Sequence, residues 1–266
     1  MNTNKEAMMG NTVIYQVQDR IATITLNRPD ALNSINRELR ADLSDALERF
    51  DQDNEAWVGI ITGAGRAFCA GRDLKERTED NAAGRQARGM DSMSPDTLFM
   101  WSPPRKPLIA AINGYALAGG WCVAQMCDLR IASESAMLGI TESRVGLLPP
   151  FAVQLNRIIP ETAVMELVLT AEPIPARRVL EMGFLNKVVP AAKVMDESRA
   201  MAQTVLRNAP LSIRAFKELV ARCRSMPEQE AVAATEEVYD RLLLSQDSKE
   251  GPLAFAEKRP PRWRAV

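Results

Sequence analysis

The chain of 266 residues contains no histidine, and that absence removes more chemistry than any other feature of its composition. Ser-His-Asp and Cys-His nucleophilic sites, His-ligated zinc or iron, and any imidazole general base are excluded. Cysteine is scarce as well. Cys69, Cys122, Cys127 and Cys223 form no CxxC pair and no zinc-finger spacing, so neither a disulfide framework nor a metal site is indicated. They read as reduced, mostly buried thiols. Excess charge of either sign is also missing. The 33 basic and 34 acidic side chains leave a formal net charge of −1, which offers no broad attraction to nucleic acid or to an anionic membrane. The opening MNTNKEAMMGNT has no apolar signal core, and no apolar run approaches the ~18 residues of a membrane span. A soluble, cytoplasmic protein is expected, without metal or resident cofactor. Acid–base chemistry is left to carboxylates, Lys, Tyr, Cys or the backbone.

Apolar residues make up 46% of the chain, enough for a sizeable core in one large domain or one domain with an appendage. Thr12–Gln18 and Arg20–Leu26 alternate with the period of strands and predict a hairpin around Asp19-Arg20. From Ser34 the period becomes helical, with Ile35, Leu39, Leu43, Leu47 and Phe50 on one face. Short apolar strands are expected at Val58–Thr62, Leu108–Ile112, Leu129–Ala132 and Ala136–Gly139, which suggests an α/β core of repeated strand–helix turns. Residues 77–106, polar and proline-rich, read as a functional flap. Beyond Pro160 the chain is mainly helical, with Pro175 near a helix start, Gly183 past its end, and a last strand at Phe184–Val189. Helices are expected over 191–207, 210–224 and 228–245. The expected division is a core over 1–190 and a helical region over 191–266.

Two glycine-containing segments each follow an expected strand. They are Ala67-Phe68-Cys69-Ala70-Gly71-Arg72-Asp73-Leu74-Lys75-Glu76 and Asn113-Gly114-Tyr115-Ala116-Leu117-Ala118-Gly119-Gly120. Small residues at such turns let a ligand approach the backbone, and a helix N-terminus offers free N–H groups. Either segment alone is as well explained by tight packing. Together, AFCAGRDLKE followed by INGYALAGG resembles the crotonase (enoyl-CoA hydratase/isomerase) superfamily. LNRPDALNS at 26–34, LTAEPIPARRVLEMGFLNKVVP at 169–190 and KEGPLAFAEKRPPRW at 249–263 extend the resemblance over nearly the whole chain.

The resemblance implies an α/β spiral of repeated ββα units with a helical C-terminal trimerisation region, and acyl-CoA thioesters as substrates. It implies that the N–H groups of Ala70 and Gly119 hold the thioester oxygen as an enolate forms. It also places Asp30, Ala31, Leu32, Cys69, Gly71, Arg72, Asp73 and Gly120 along the coenzyme A moiety, which enters as part of the substrate. A homotrimer or a dimer of trimers is the implied assembly. Family hydratases use two glutamates. Here the first of those positions is Cys122 and the second is Glu142, so one carboxylate is present and one is replaced. Apolar neighbours Leu138, Ile140, Val145 and Leu147 would raise the Glu142 pKa toward working pH; a salt bridge to Arg144 is the alternative. Cys122 reads as a filler of apolar volume and Trp121 as a packing residue. Arg72 lies near coenzyme A phosphates or in solvent. Phe151 reshapes the acyl pocket or belongs to the core, and Tyr239 is more simply a packing aromatic than a substrate contact.

One carboxylate with an oxyanion hole suits a 1,3-proton shift or hydration of enoyl-CoA, with Glu142 as the single acid/base. Aromatic enoyl-CoA hydratase-lyase chemistry and a non-catalytic coenzyme A-binding scaffold are the competing expectations.

Overall fold

The computed structural model describes residues 7–9, 11–85 and 100–266. β1 (Ala7–Met9), β2 (Val13–Gln18) and β3 (Ile21–Leu26) form an antiparallel set. The expected hairpin turn is made by Asp19 and Arg20 at φ 52° and 66°, the left-handed pair that matches strand twist in a two-residue loop. Helix α1 (Arg37–Gln52) starts three residues later than its apolar period suggests, because the Asn36 side chain caps it by accepting from Leu39 N–H at 2.9 Å. Ile35 is buried all the same, in an isolated parallel bridge to Arg72.

The chain then repeats one unit. β4 (Val58–Gly63) enters the large sheet, β5 (Ala67–Cys69) a small one, and helix α2 (Leu74–Ala82) follows. β6 (Leu108–Ile112), β7 (Tyr115–Leu117) and α3 (Gly119–Met126) repeat the path, and β8 (Leu129–Ser133) with β9 (Met137–Gly139) repeats it again. Each turn therefore gives one strand to each sheet, a spiral of ββα units. β4 and β6 are buried at every position, as parallel strands covered on both faces must be.

Helix α4 (Glu161–Thr170), β10 (Ile174–Pro175), α5 (Ala176–Glu181) and β11 (Lys187–Val189) follow. The seven-stranded sheet runs β1-β2-β3-β4-β6-β8-β11, and the four-stranded one β10-β9-β7-β5. The last strand is shorter than its apolar run because Phe184 leaves the ladder to stack on Trp121, with ring centroids 4.3 Å apart. α6 (Val194–Leu206) lies across the large sheet, burying Val194 and Ala202 with Ile21, Ile60, Ile109 and Ile131. α7 (Pro210–Arg222) and α8 (Glu228–Leu243) come next, and Gln246–Ala256 is a further helix, α9, that the sequence reading did not anticipate. Its internal Pro252 and neighbouring Gly251 conceal it. Within this chain Phe216, Leu244 and Phe255 stand in solvent.

The start of the expected 77–106 flap is the end of α2, and residues 86–99 of it lie outside the described residues. Where the chain is described again, Trp101 is buried and donates Nε1–H to the Arg40 carbonyl at 3.1 Å.

Candidate active site

The two glycine segments meet where the sheets end. Three glycines permit the contact. A Cβ on Gly120 would lie 2.0 Å from the Cys69 carbonyl oxygen, and one on Gly71 2.8 Å from both Ala118 Cβ and the Leu117 oxygen. A Cβ on Gly119 would lie 2.8 Å from Ile35 Cδ1. Gly71 also sits at φ +92°, a region that suits glycine. The second loop is itself strained: Ala118, before α3, holds φ 51° and ψ −120°, a conformation that disfavours any side chain. Its N–H is tied to the Gly139 carbonyl at 2.9 Å. The next amide, Gly119 N–H, is the first of the helix and has no carbonyl one turn back to take it.

The first loop differs from the expectation drawn for Ala70. Its N–H is already committed, donating to the Leu32 carbonyl at 3.0 Å. Gly71 N–H points to the Cys69 sulfur. The amides beyond alternate: Ile35 N–H donates to the Gly71 carbonyl at 2.7 Å, and Asp73 N–H to the Ile35 carbonyl at 3.0 Å. An extended backbone with 71 and 73 turned to Ile35 turns residue 72 the other way. Among the described residues no acceptor takes Arg72 N–H or Gly119 N–H, and the Gly71 backbone between them packs against Gly119. Backbone donors carry no residue identity. Only the ladder to Ile35 distinguishes the free amide from the bound one.

The expected coenzyme segment is held rigidly. Asp30 is exposed and Ala31 and Leu32 are half-buried, on a 3-10 turn over Pro29–Ala31 that ends with Leu32 at φ 51°. The buried Asn33, which sequence reasoning passed over, fastens it. Its Nδ2 donates to the Ala64 and Ala67 carbonyls at 2.9 and 2.8 Å, while Oδ1 accepts from Arg28 N–H at 2.8 Å. Asp73 is likewise structural. It accepts from the Lys75 and Glu76 amides at the start of α2 and pairs with Arg28 Nη2 at 3.0 Å. Cys69 is fully buried and offers no side chain to a ligand.

Glu142 lies three residues beyond β9, whose Gly139 pairs with Leu117. Its Oε2 is buried without a hydrogen-bond partner among the described residues. Burial pushes its pKa up to about 7, against the pull of its own and Thr141's backbone. The alternative partner is occupied, for Arg144 pairs with Glu172. Leu138 and Ile140 are buried as expected, whereas Val145 is turned outward. Cys122 is buried within electrostatic reach of Glu142, and desolvation drives its thiol up to about 12.

Over residues 16–265 the sequence matches the enoyl-CoA hydratase/isomerase family. The chain belongs to that family. It is 38% identical to enoyl-CoA hydratase EchA19 of Mycobacterium tuberculosis, covering 96% of this chain and 97% of that one. It is 37% identical to (E)-benzylidenesuccinyl-CoA hydratase of Thauera aromatica, over 96% and 99%. The crystal structure of an enoyl-CoA hydratase from M. tuberculosis H37Rv superposes with a TM-score of 0.87 at 35% identity, covering 96% of this chain and all of that one.

Within the enoyl-CoA hydratase/isomerase family, Cys122 stands where the resemblance implies a glutamate. Cys122 is 1% exposed on α3, so it fills volume and supplies no charge. Trp121 is fully buried against Phe184, and Phe151 is core, its carbonyl accepting from Gln125 Nε2 at 2.9 Å. Tyr239, by contrast, is 58% exposed on α8.

Proposed function

We propose that this chain transforms enoyl-CoA thioesters through a bound enolate, with Glu142 as its single acid/base. The thioester oxygen is held by Gly119 N–H and by Arg72 N–H, which replaces Ala70 as the first donor. When the Glu142 carboxylate removes a proton from the acyl chain, the C–H electron pair moves into the enolate and negative charge gathers on that oxygen. Fixed dipoles at a helix start stabilise it; loss of one such donor costs about 2.7–4 kcal/mol in other enzymes. The same proton, returned to another carbon, shifts the double bond. Alternatively, Glu142 takes a proton from water as the water oxygen bonds the β-carbon, the C=C electron pair moves into the enolate, and Glu142 gives that proton to the α-carbon as the C=O re-forms.

The observation that carries this reading is the orphaned, buried Glu142 oxygen on a carboxyl group whose pKa is raised to about 7, where it can give or take a proton near neutrality. The replacement of the other glutamate by Cys122 favours proton shift, while the relatives' names favour hydration. Glu142→Gln is expected to lower enoyl-CoA turnover by about 10²–10⁴; unchanged turnover rejects the assignment. Products formed in heavy water with ¹⁸O label separate the two reactions. A moved double bond without added oxygen marks a proton shift, with deuterium entering only as far as the Glu142 proton exchanges with solvent, and solvent oxygen together with deuterium marks hydration. The exposed apolar side chains of α7–α9 support association as a trimer or a dimer of trimers, checked by light scattering.

A further inference from the structure

Arg72 carries an uncommitted charge. Its side chain is half-buried, yet among the described residues it forms no ion pair and no hydrogen bond. The nearby carboxylates are taken. Asp80, on α2, is held by both Arg37 and Arg85. Glu76 accepts the Arg37 N–H at 3.2 Å with each oxygen. Burial works most against the Arg72 cation, and Arg77 from α2 and Arg40 from α1 add like charge, partly offset by the attraction of Asp80 and Glu76. A partly desolvated guanidinium with five donors and no protein acceptor is left to water or to a ligand, and a ligand carboxylate would satisfy it best.

Its direction is fixed by its neighbours. Asp73 turns toward Arg28 and the coenzyme segment, so Arg72, one residue earlier on an extended backbone, turns to the opposite side. It pairs across the bridge with Ile35, whose Cδ1 lies against Gly119. The guanidinium therefore leaves the oxyanion site on the side of α1 and α2, away from Arg28. A thioester whose carbonyl sits on the Gly119 amide has two ends, and Arg72 is placed on the side away from the coenzyme.

We propose that Arg72 is a specificity-determining residue that selects thioesters whose acyl chain carries a carboxylate. This rests on the reading of the site as an acyl-CoA site. The acyl carboxylate accepts a forked pair of N–H donors from the guanidinium. One residue then serves twice, its main chain holding the thioester oxygen and its side chain the far end of the acyl group.

The test is binding of unreactive esters by calorimetry. Succinyl-, glutaryl- and adipyl-CoA are compared with the neutral butyryl-, valeryl- and hexanoyl-CoA, and with free coenzyme A. At least one dicarboxylyl ester is expected to bind about tenfold or more tighter than its neutral counterpart. Arg72→Ala keeps the amide and should bring that ratio to about one, while Arg72→Lys should retain part of it. If Arg72→Ala weakens free coenzyme A and every ester alike, the side chain reads coenzyme phosphates and the proposal is overturned. Equal affinity for charged and neutral esters in the native chain also overturns it, leaving the acyl-CoA reading intact. If no coenzyme A ester binds, both fall.

Discussion

Glu142 is the residue on which pH should act most visibly. Its folded pKa of about 7 lies above the roughly 4.3 of an unfolded glutamate. Between those values the folded chain holds a proton that the unfolded chain has lost, so folding stability falls as pH rises through the window. The full shift corresponds to roughly 4 kcal/mol. Urea denaturation at pH 5 and pH 8 should show Glu142→Gln gaining on the native chain at the higher pH; a difference that stays flat means the carboxyl group is not desolvated. Cys122 sets the complementary expectation. On the proposed reading, Cys122→Glu restores the second carboxylate that the resemblance implies, and hydration of 2-enoyl-CoA should rise by about an order of magnitude or more if that group alone is limiting. At this scale it was the resemblance to the crotonase superfamily that singled out Glu142, Cys122 and Gly119, by their places in its motifs. It did not show that the Ala70 amide is taken by the Leu32 carbonyl, because which amide is free depends on the bonds among Leu32, Ile35 and residues 70–73, and not on which side chains those residues carry.

The elements bring their ends together with little tolerance. Gly120→Ala would drive a methyl group into the Cys69 carbonyl at 2.0 Å, where both sides are backbone and neither can yield without moving a loop. A destabilisation of about 1–3 kcal/mol is expected, together with weaker coenzyme A binding, read by urea midpoint and calorimetry. Ala118→Gly acts in the opposite sense. It removes a side chain from φ 51° and should stabilise the chain by about 1 kcal/mol, whereas loss of stability would mean the Ala118 methyl contacts outweigh the strain. The regular elements were readable in advance. The Asp19-Arg20 hairpin and the buried face of α1 follow from periodicity, and β4 and β6 from short apolar runs bounded by Gly and Pro, though not their parallel pairing. α9 was hidden by Gly251 and Pro252, and β11 was overextended because tertiary stacking of Phe184 on Trp121 outweighed its strand pattern.

Across the whole molecule, the large sheet has two faces and needs both covered. α6 closes the second face with Val194 and Ala202, with Met195, Met201, Val205 and Leu206 packed beside them. A chain ending at Ala192 would leave Ile21, Val58, Ile60, Ile109 and Ile131 facing water and should aggregate on expression. One ending at Asn208 keeps α6 and should unfold cooperatively, its association state altered by loss of α7–α9. Circular dichroism melting and light scattering on the two truncations distinguish these outcomes; equal behaviour would assign α6 to the tail.

The distribution of thiols has a practical result. Cys69, Cys122 and Cys127 are buried, and Cys223 alone has partial access, at the end of α7. A maleimide dye should therefore attach once per chain without any engineered cysteine. Mixing separately labelled donor and acceptor populations would then report by energy transfer whether chains associate.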